Sequence, residues 1–132
     1  MTVISQVKDT RARSRWTVEL VDQGDTVLWQ VRGVRGGVRQ RLTLDRAQLN
    51  HVRQMIVALQ DPRASASREA VCGTHDFEVR CGRFAQWWLW FEPRRAKCAG
   101  VTVDGAGESW RAVLRMIDQG IAQLSANGRL NA

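Results

Sequence analysis

The chain carries the same plan twice. Alternating apolar segments run into Leu42-Thr-Leu-Asp45 in the first half and into Val101-Thr-Val-Asp104 in the second. Each is followed by a long segment with apolar residues at helical spacing. Thr43 and Thr102 lie 59 positions apart and the helix residues Leu49 and Trp110 lie 61 apart, a difference that an insertion around Gly105-Ala-Gly107 accounts for. The low identity of the halves leaves open a chance likeness of two β-then-α units. Duplication has a physical rationale, because a small sheet with one helix buries only one of its faces. The expected architecture is therefore α+β: two β-β-β(-β)-α repeats, with antiparallel sheets and one long amphipathic helix each. A chain of 132 residues makes these one compact domain, with repeats at about 1–61 and 69–127 and a linker over 62–68.

Local signals place the elements. Residues 2–8 have some β character, and Trp16 to Val21 alternates with Trp16, Val18 and Leu20 on one face. In the next strand Val27, Trp29 and Val31 face one side, with Leu28, Gln30 and Arg32 opposite. After a Gly-rich tip at 33–37, Arg39, Arg41 and Thr43 share a face opposite Val38, Leu42 and Leu44. Asp45 reads as an N-cap with Gln48 as its capping-box partner. The helix behind it carries Leu49, Val52, Met55, Ile56 and Leu59 as its inward stripe. In the second half, 69–73 and 75–80 are expected strands, 84–91 is apolar on both faces, and 97–103 is the last strand. The final helix buries Trp110, Val113, Leu114, Ile117, Ile121 and Leu124, and Asn127-Gly128 is expected to end it.

Charge narrows the function. The net charge is +7, with 18 Arg against 2 Lys, and the isoelectric point is about 10.9. Such a surface attracts polyanions, of which nucleic acid is the commonest in a cell. The competing explanation is a solubility device combined with Arg-rich codon usage. No apolar run approaches the length needed to cross a bilayer. The N-terminus lacks a basic stretch followed by a greasy one, so secretion is not expected. Cys72, Cys81 and Cys98 are odd in number without a C-x-x-C pair, which fits a reducing cytoplasm. Cys72, His75 and Cys81 can be drawn as part of a zinc site, but buried small hydrophobes explain the cysteines more simply.

The stretch Val27-Leu-Trp-Gln-Val-Arg, then Gly36-Gly-Val-Arg-Gln-Arg-Leu-Thr-Leu44, then the helix from Asp45 resembles the PUR repeat, and more loosely the Whirly class of folds. The likeness covers nearly the whole chain as topology, but as a residue motif only Arg41-Leu-Thr-Leu44. A Gly-Arg-Phe-Leu opening before Val27 is missing, and Gly82-Arg-Phe84 leads into an unusually Trp-rich strand. The resemblance implies single-stranded DNA or RNA held across an exposed sheet face.

Two constellations carry that expectation. Gln30, Arg32, Arg39 and Arg41, extended by Arg35 at the hairpin tip, would form a patch of guanidinium forks suited to phosphate. Its alternative is a solvated face whose charges oppose Glu19 and nearby Asp residues. Trp88 and Trp90 share a face of their strand and would stack on bases, unless they are buried in a dimer or between the halves. Trp87, Leu89 and Phe91 take the other face; Trp29 is expected in the core. Arg94, Arg95 and Lys97 form a basic hairpin beside that strand, and Arg11, Arg13 and Arg15 a basic arm. Catalytic signatures are absent: there is no phosphate loop, no zinc-deaminase signature and no H-E-x-x-H helix. A nuclease built on His51 and His75 has nothing in the sequence to bring the two rings together. The expected function is non-enzymatic binding of single-stranded nucleic acid, with no cofactor, metal, membrane or small-molecule substrate, in a homodimer formed through the Trp strand. The alternative is a protein-interaction module, such as an inhibitor or immunity protein of a mobile element or bacterial defence system.

Overall fold

In the computed structural model, residues 2–8, 16–33, 35–59, 66–82, 86–95, 100–105 and 109–130 are described. Strands β1 (Val3–Lys8), β2 (Thr17–Asp22), β3 (Val27–Arg32) and β4 (Val38–Leu44) lead into helix α1 (Arg46–Ala58). Strands β5 (Ala66–Ala70), β6 (His75–Cys81), β7 (Trp87–Pro93) and β8 (Val103–Gly105) lead into helix α2 (Ser109–Leu130). The strands form two antiparallel four-stranded sheets, ordered β1-β2-β3-β4 (sheet A) and β5-β6-β7-β8 (sheet B). The α+β architecture read from the sequence is the one observed. No helix is long and apolar enough to cross a membrane among the described residues.

Period-two alternation determines the inner faces. Val18, Leu20, Val27, Trp29, Val31, Leu42 and Leu44 are buried on sheet A, and Phe77, Val79, Trp87, Leu89, Phe91 and Val103 on sheet B. The two inner faces meet: Trp29 packs edge-on against Phe91 with ring centroids 5.3 Å apart and against Phe77 at 6.4 Å. Gln40, on the inner side of β4, donates to the Phe91 carbonyl at 2.8 Å. The helices complete the core crosswise. α2 lies over β1 and β2 of the other repeat, while α1 reaches β6. His51 of α1 is 3.6 Å from Glu69 of β5. Gly120 permits the crossing, since a Cβ there would stand 2.6 Å from Leu20 Cδ1 and 3.0 Å from Leu49 Cδ2.

The start of α1 is as read. Asp45 accepts from the Gln48 backbone at 2.8 Å and the Gln48 side chain accepts from the Asp45 backbone at 2.9 Å. Its stripe of Leu49, Val52, Met55, Ile56 and Leu59 is buried. In α2, Val113, Ile117 and Leu124 are buried as expected and are joined by Met116; Trp110, Leu114 and Ile121 are partly buried against them.

Several boundaries differ from the sequence reading. β5 begins at Ala66, inside the stretch expected to be a linker. Small residues there pair with β6 as an edge strand, which needs no apolar alternation. Asp104 does not open α2. It pairs with Trp88 within β8, which is Val103–Gly105; of the stretch 97–103 expected as the last strand, 100–102 are not strand and 97–99 lie outside the described residues. Trp29 pairs with Leu42 and Leu89 with Val103, so Leu42 corresponds to Val103, the same spacing as Leu49 to Trp110. The insertion therefore precedes β8 instead of following it. With the repeats aligned this way, Val52, Met55 and Ile56 correspond to Val113, Met116 and Ile117, all buried. Finally, α2 continues through Asn127 and Gly128 to Leu130. The Asn127 amide donates to Asp22 Oδ1 at 3.0 Å and to the Gly24 carbonyl at 2.9 Å, so it anchors the helix on the β2–β3 turn rather than ending it.

Candidate nucleic-acid interface

Because the inner faces of the two sheets meet, their outer faces point away from each other. Cross-strand partners share a face and stand close enough to interact, so each outer face can be written as rows. On sheet A the rows are Lys8–Thr17–Arg32–Val38, Gln6–Glu19–Gln30–Arg41 and Val3–Val21–Leu28–Thr43. On sheet B they are Ala70–Asp76–Glu92, Arg68–Glu78–Trp90 and Ala66–Arg80–Trp88–Asp104. The two constellations expected from the sequence thus lie on different sheets and do not form one surface.

The middle row of sheet A is a hydrogen-bonded chain. Gln30 Nε2 donates to Glu19 Oε1 at 2.5 Å, Arg32 Nε donates to the same oxygen at 2.8 Å, and Arg41 Nε donates to Gln30 Oε1 at 3.0 Å. Glu19 and Gln30 are buried beneath the two arginines, though they face outward. A shallow recess of about 260 Å³ opens over them, bordered by Val3, Leu28, Arg32 and Arg41. A buried carboxylate needs such partners, since an unpaired one costs far more than its bonds return.

Arg32 is therefore largely engaged. Its Nη1 also donates to the Gly36 carbonyl at 2.9 Å. That bond depends on the hairpin tip, where Gly36 has φ 78°, a conformation that glycine adopts without strain. Arg41 commits only Nε. Arg35 and Arg39 are exposed and have no ion-pair partner among the described residues. A register shift between Val31 and Arg32 makes Arg39 the extra residue of β4 and brings Val38 to the outer face, 41% exposed, not beside Leu42 and Leu44. Arg39 lies against Gly33, where a Cβ would meet its Cδ at 2.9 Å.

Lys8 belongs to this face and was missed by sequence reasoning. Only the β1–β2 register reveals that it shares a row with Arg32. Sheet A thus sets Lys8, Arg32 and Arg41, with Arg35 and Arg39 at one end, around a single buried carboxylate.

Sheet B is chemically different. Trp88 and Trp90 are half-buried on its outer face, while Trp87 is buried inside beside Trp16, with ring centroids 6.4 Å apart. The Arg80 guanidinium stands 5.7 Å from the centroid of the Trp90 ring. Trp88 lies on Gly82, where a Cβ would come within 2.8 Å of its ring. Carboxylates surround the indoles. Arg80 pairs with Glu78 at 3.1 Å, Arg68 with Asp76 at 3.4 Å and Arg94 with Asp76 at 2.8 Å. The Arg94 hydrogen bond, reinforced by Arg68, holds the Asp76 carboxyl below its ordinary value.

Arg95 is exposed at the end of β7; Lys97, Cys98 and the arm of Arg11, Arg13 and Arg15 lie outside the described residues. Cys72 and Cys81 are free thiols. His51 faces Glu69, whereas His75 Nδ1 meets the Thr74 hydroxyl at 2.8 Å, so the two rings have separate partners. Among the described residues no three metal-ligating side chains gather.

No protein-family model and no curated protein matches the chain. Among solved structures, the crystal structures of Trypanosoma bruciei MRP1/MRP2 are similar, with a TM-score of 0.60, 10% identity, and coverage of 91% of this chain and 84% of that one. At that identity the likeness is one of fold.

Proposed function

We propose that the chain is a non-enzymatic, cytoplasmic protein that binds single-stranded DNA or RNA on the outer face of sheet A. The observation that carries this reading is the charge of that face: Lys8, Arg32, Arg35, Arg39 and Arg41 set against one carboxylate, in a chain of net charge +7. Guanidinium forks suit phosphate oxygens, and a flat sheet follows an extended strand better than it fits a duplex groove. The resemblance of the first repeat to PUR repeats adds to the reading.

A labelled oligonucleotide titrated at two salt concentrations tests it. Affinity falls steeply with salt, because each contact releases counterions. Changing Arg39 and Arg41 together to Ala weakens binding and flattens the slope of log K against log salt by about 1.4, at roughly 0.7 per single-strand phosphate contact. Circular dichroism separates lost contacts from lost folding. Absence of binding at low salt sinks the proposal.

A second reading is favoured by sheet B. Half-buried Trp88 and Trp90 among internally paired charges are a poor site for a polyanion and a good one for a protein, a second copy of the chain included. Light scattering on Trp90→Ala tests it: a dimer that dissociates supports a subunit interface.

A further inference from the structure

The β5–β6 turn and the end of β7 flank an open recess that the face proposed for binding on sheet A does not use. It measures about 640 Å³, within the roughly 300–1,000 Å³ of ligand sites. Gly73, Thr74, His75, Pro93 and Arg95 line it. Its frame is tied down on both sides. The backbone N–H groups of Val71 and Cys72 converge on the His75 carbonyl at 3.3 and 3.4 Å, and the Arg94 N–H reaches the Thr74 carbonyl at 3.0 Å. Arg94 also clamps Asp76 through its side chain at 2.8 Å, which fixes the backbone next to Arg95.

The donors and the walls suit a particular kind of ligand. Thr74 Oγ1 and His75 Nδ1 are 2.8 Å apart, and in the tautomer in which the hydroxyl donates to Nδ1 the ring carries its proton on Nε2 and offers it as a donor. Burial pulls His75 below its ordinary value, so the ring is neutral near pH 7. Arg95 adds a guanidinium that has no ion-pair partner among the described residues. The carboxylate next to His75 in the chain, Asp76, is already occupied by Arg94 and Arg68. The Pro93 ring and the imidazole supply flat apolar wall. A cation and a neutral donor above apolar walls, with the adjoining Asp76 carboxylate already paired to arginine, fit a phosphate attached to an aromatic ring.

We propose that this recess holds a terminal phosphate monoester and its base, either the phosphorylated end of a strand or a free mononucleotide, with Arg95 and His75 on the phosphate and Pro93 against the base. The strand-end form rests on the single-strand reading above; the mononucleotide form does not.

Gly73 offers a clean test. A Cβ there meets nothing within 4 Å, and its backbone is not in the left-handed region, so Gly73→Leu fills the recess without straining the fold. The probes are adenosine monophosphate and one oligonucleotide made with a 5′-phosphate, a 3′-phosphate or neither. Expected are about tenfold tighter binding of one phosphorylated end than of the unphosphorylated strand, and loss of that preference in both Gly73→Leu and Arg95→Ala. With two histidines in the chain, proton NMR resolves the site: adenosine monophosphate shifts the His75 resonances and leaves those of His51 in place. If the monophosphate shifts His75 but no oligonucleotide binds, the recess stands and the single-strand reading falls. If all three oligonucleotides bind equally and the monophosphate moves neither histidine, the recess proposal is overturned and the sheet A reading survives. A phosphate preference that persists in Gly73→Leu also overturns it.

Discussion

Replacing Glu19 by Gln moves stability and nucleic-acid affinity in opposite directions. The carboxylate accepts from Gln30 Nε2 at 2.5 Å and from Arg32 Nε at 2.8 Å. Glutamine keeps an acceptor oxygen but loses the charge, so both bonds become ordinary ones, at about 1 kcal/mol each. The Arg32 side chain is 39% exposed, which reduces its share and leaves a cost of about 1–2 kcal/mol. For a chain of this length that is a fall in melting temperature of roughly 3–8 °C. A phosphate seated on Arg32 would lie about 6–7 Å beyond the carboxylate, where repulsion is about 0.6 kcal/mol in water-like dielectric and about 2.5 at an effective dielectric of 20. Solvent and salt favour the lower figure, so Glu19→Gln should bind single strands roughly three- to tenfold more tightly at low salt. Thermal melts and fluorescence anisotropy, run on the same preparations, read the two effects. A folded Glu19→Gln protein with unchanged or weaker affinity would show that no phosphate visits this face. An unchanged melt would refute the buried network itself.

Two further outcomes follow from packing and titration. Gly105 pairs with Trp87, and a Cβ there would stand 2.2 Å from Trp87 Cζ2, so Gly105→Ala should cost about 1–3 kcal/mol or more. Denaturant melts check this, and adding Trp87→Leu should recover part of the loss; no loss in the single variant would mean β8 has room to move. Asp76 binds its proton less tightly in the fold than when unfolded, because Arg94 and then Arg68 favour its ionised form. Its contribution is complete above the unfolded value near 3.8 and disappears as pH falls through the lower folded value. The stability gap between the parent and Asp76→Asn should therefore be constant at neutral pH and close as the pH falls below about 4; a gap that does not close in acid would remove the ion pair from the argument.

What was legible in the sequence was whatever depends on local period. Alternation gave the inner faces of β2 and β3, and the Asp45–Gln48 box gave the start of α1 to the residue, whereas β7, apolar on both faces, took its inner side only from the packing of Trp87, Leu89 and Phe91. What escaped depends on register or on partners distant in sequence. β5 carries no apolar alternation and is a strand only because β6 pairs with it. Asn127-Gly128 has the chemistry of a helix end, but Asp22 and Gly24, a hundred residues earlier, occupy the Asn127 amide. The shift that turns Val38 outward arises from the bulge opposite Arg32, and the place of Lys8 from the β1–β2 register. The basic patch was thus half readable: Arg32 and Arg41 follow from alternation within one hairpin, while the bulged Arg39 and the buried carboxylate at its centre emerge only from pairing across the strands.

The register also shows what the two repeats share and where they part. Glu19 and Glu78 are equivalent: each is buried on the outer face of the second strand of its sheet, and each is paired to arginine. Around this common element the neighbours change sign. The row Lys8–Thr17–Arg32 of sheet A corresponds to Ala70–Asp76–Glu92 of sheet B, and Gln30 corresponds to Trp90. The inner positions keep their character because both sheets press on one core, where a change of polarity is costly. Outer positions face no such constraint, so their chemistry can diverge without cost to the fold. A polyanion is attracted to the first row and repelled by the second. A duplicated scaffold of this kind therefore presents two non-equivalent surfaces, and neutralising the basic row on sheet A should abolish binding along the strand, leaving at most the terminal-phosphate contact proposed for the recess at the end of sheet B.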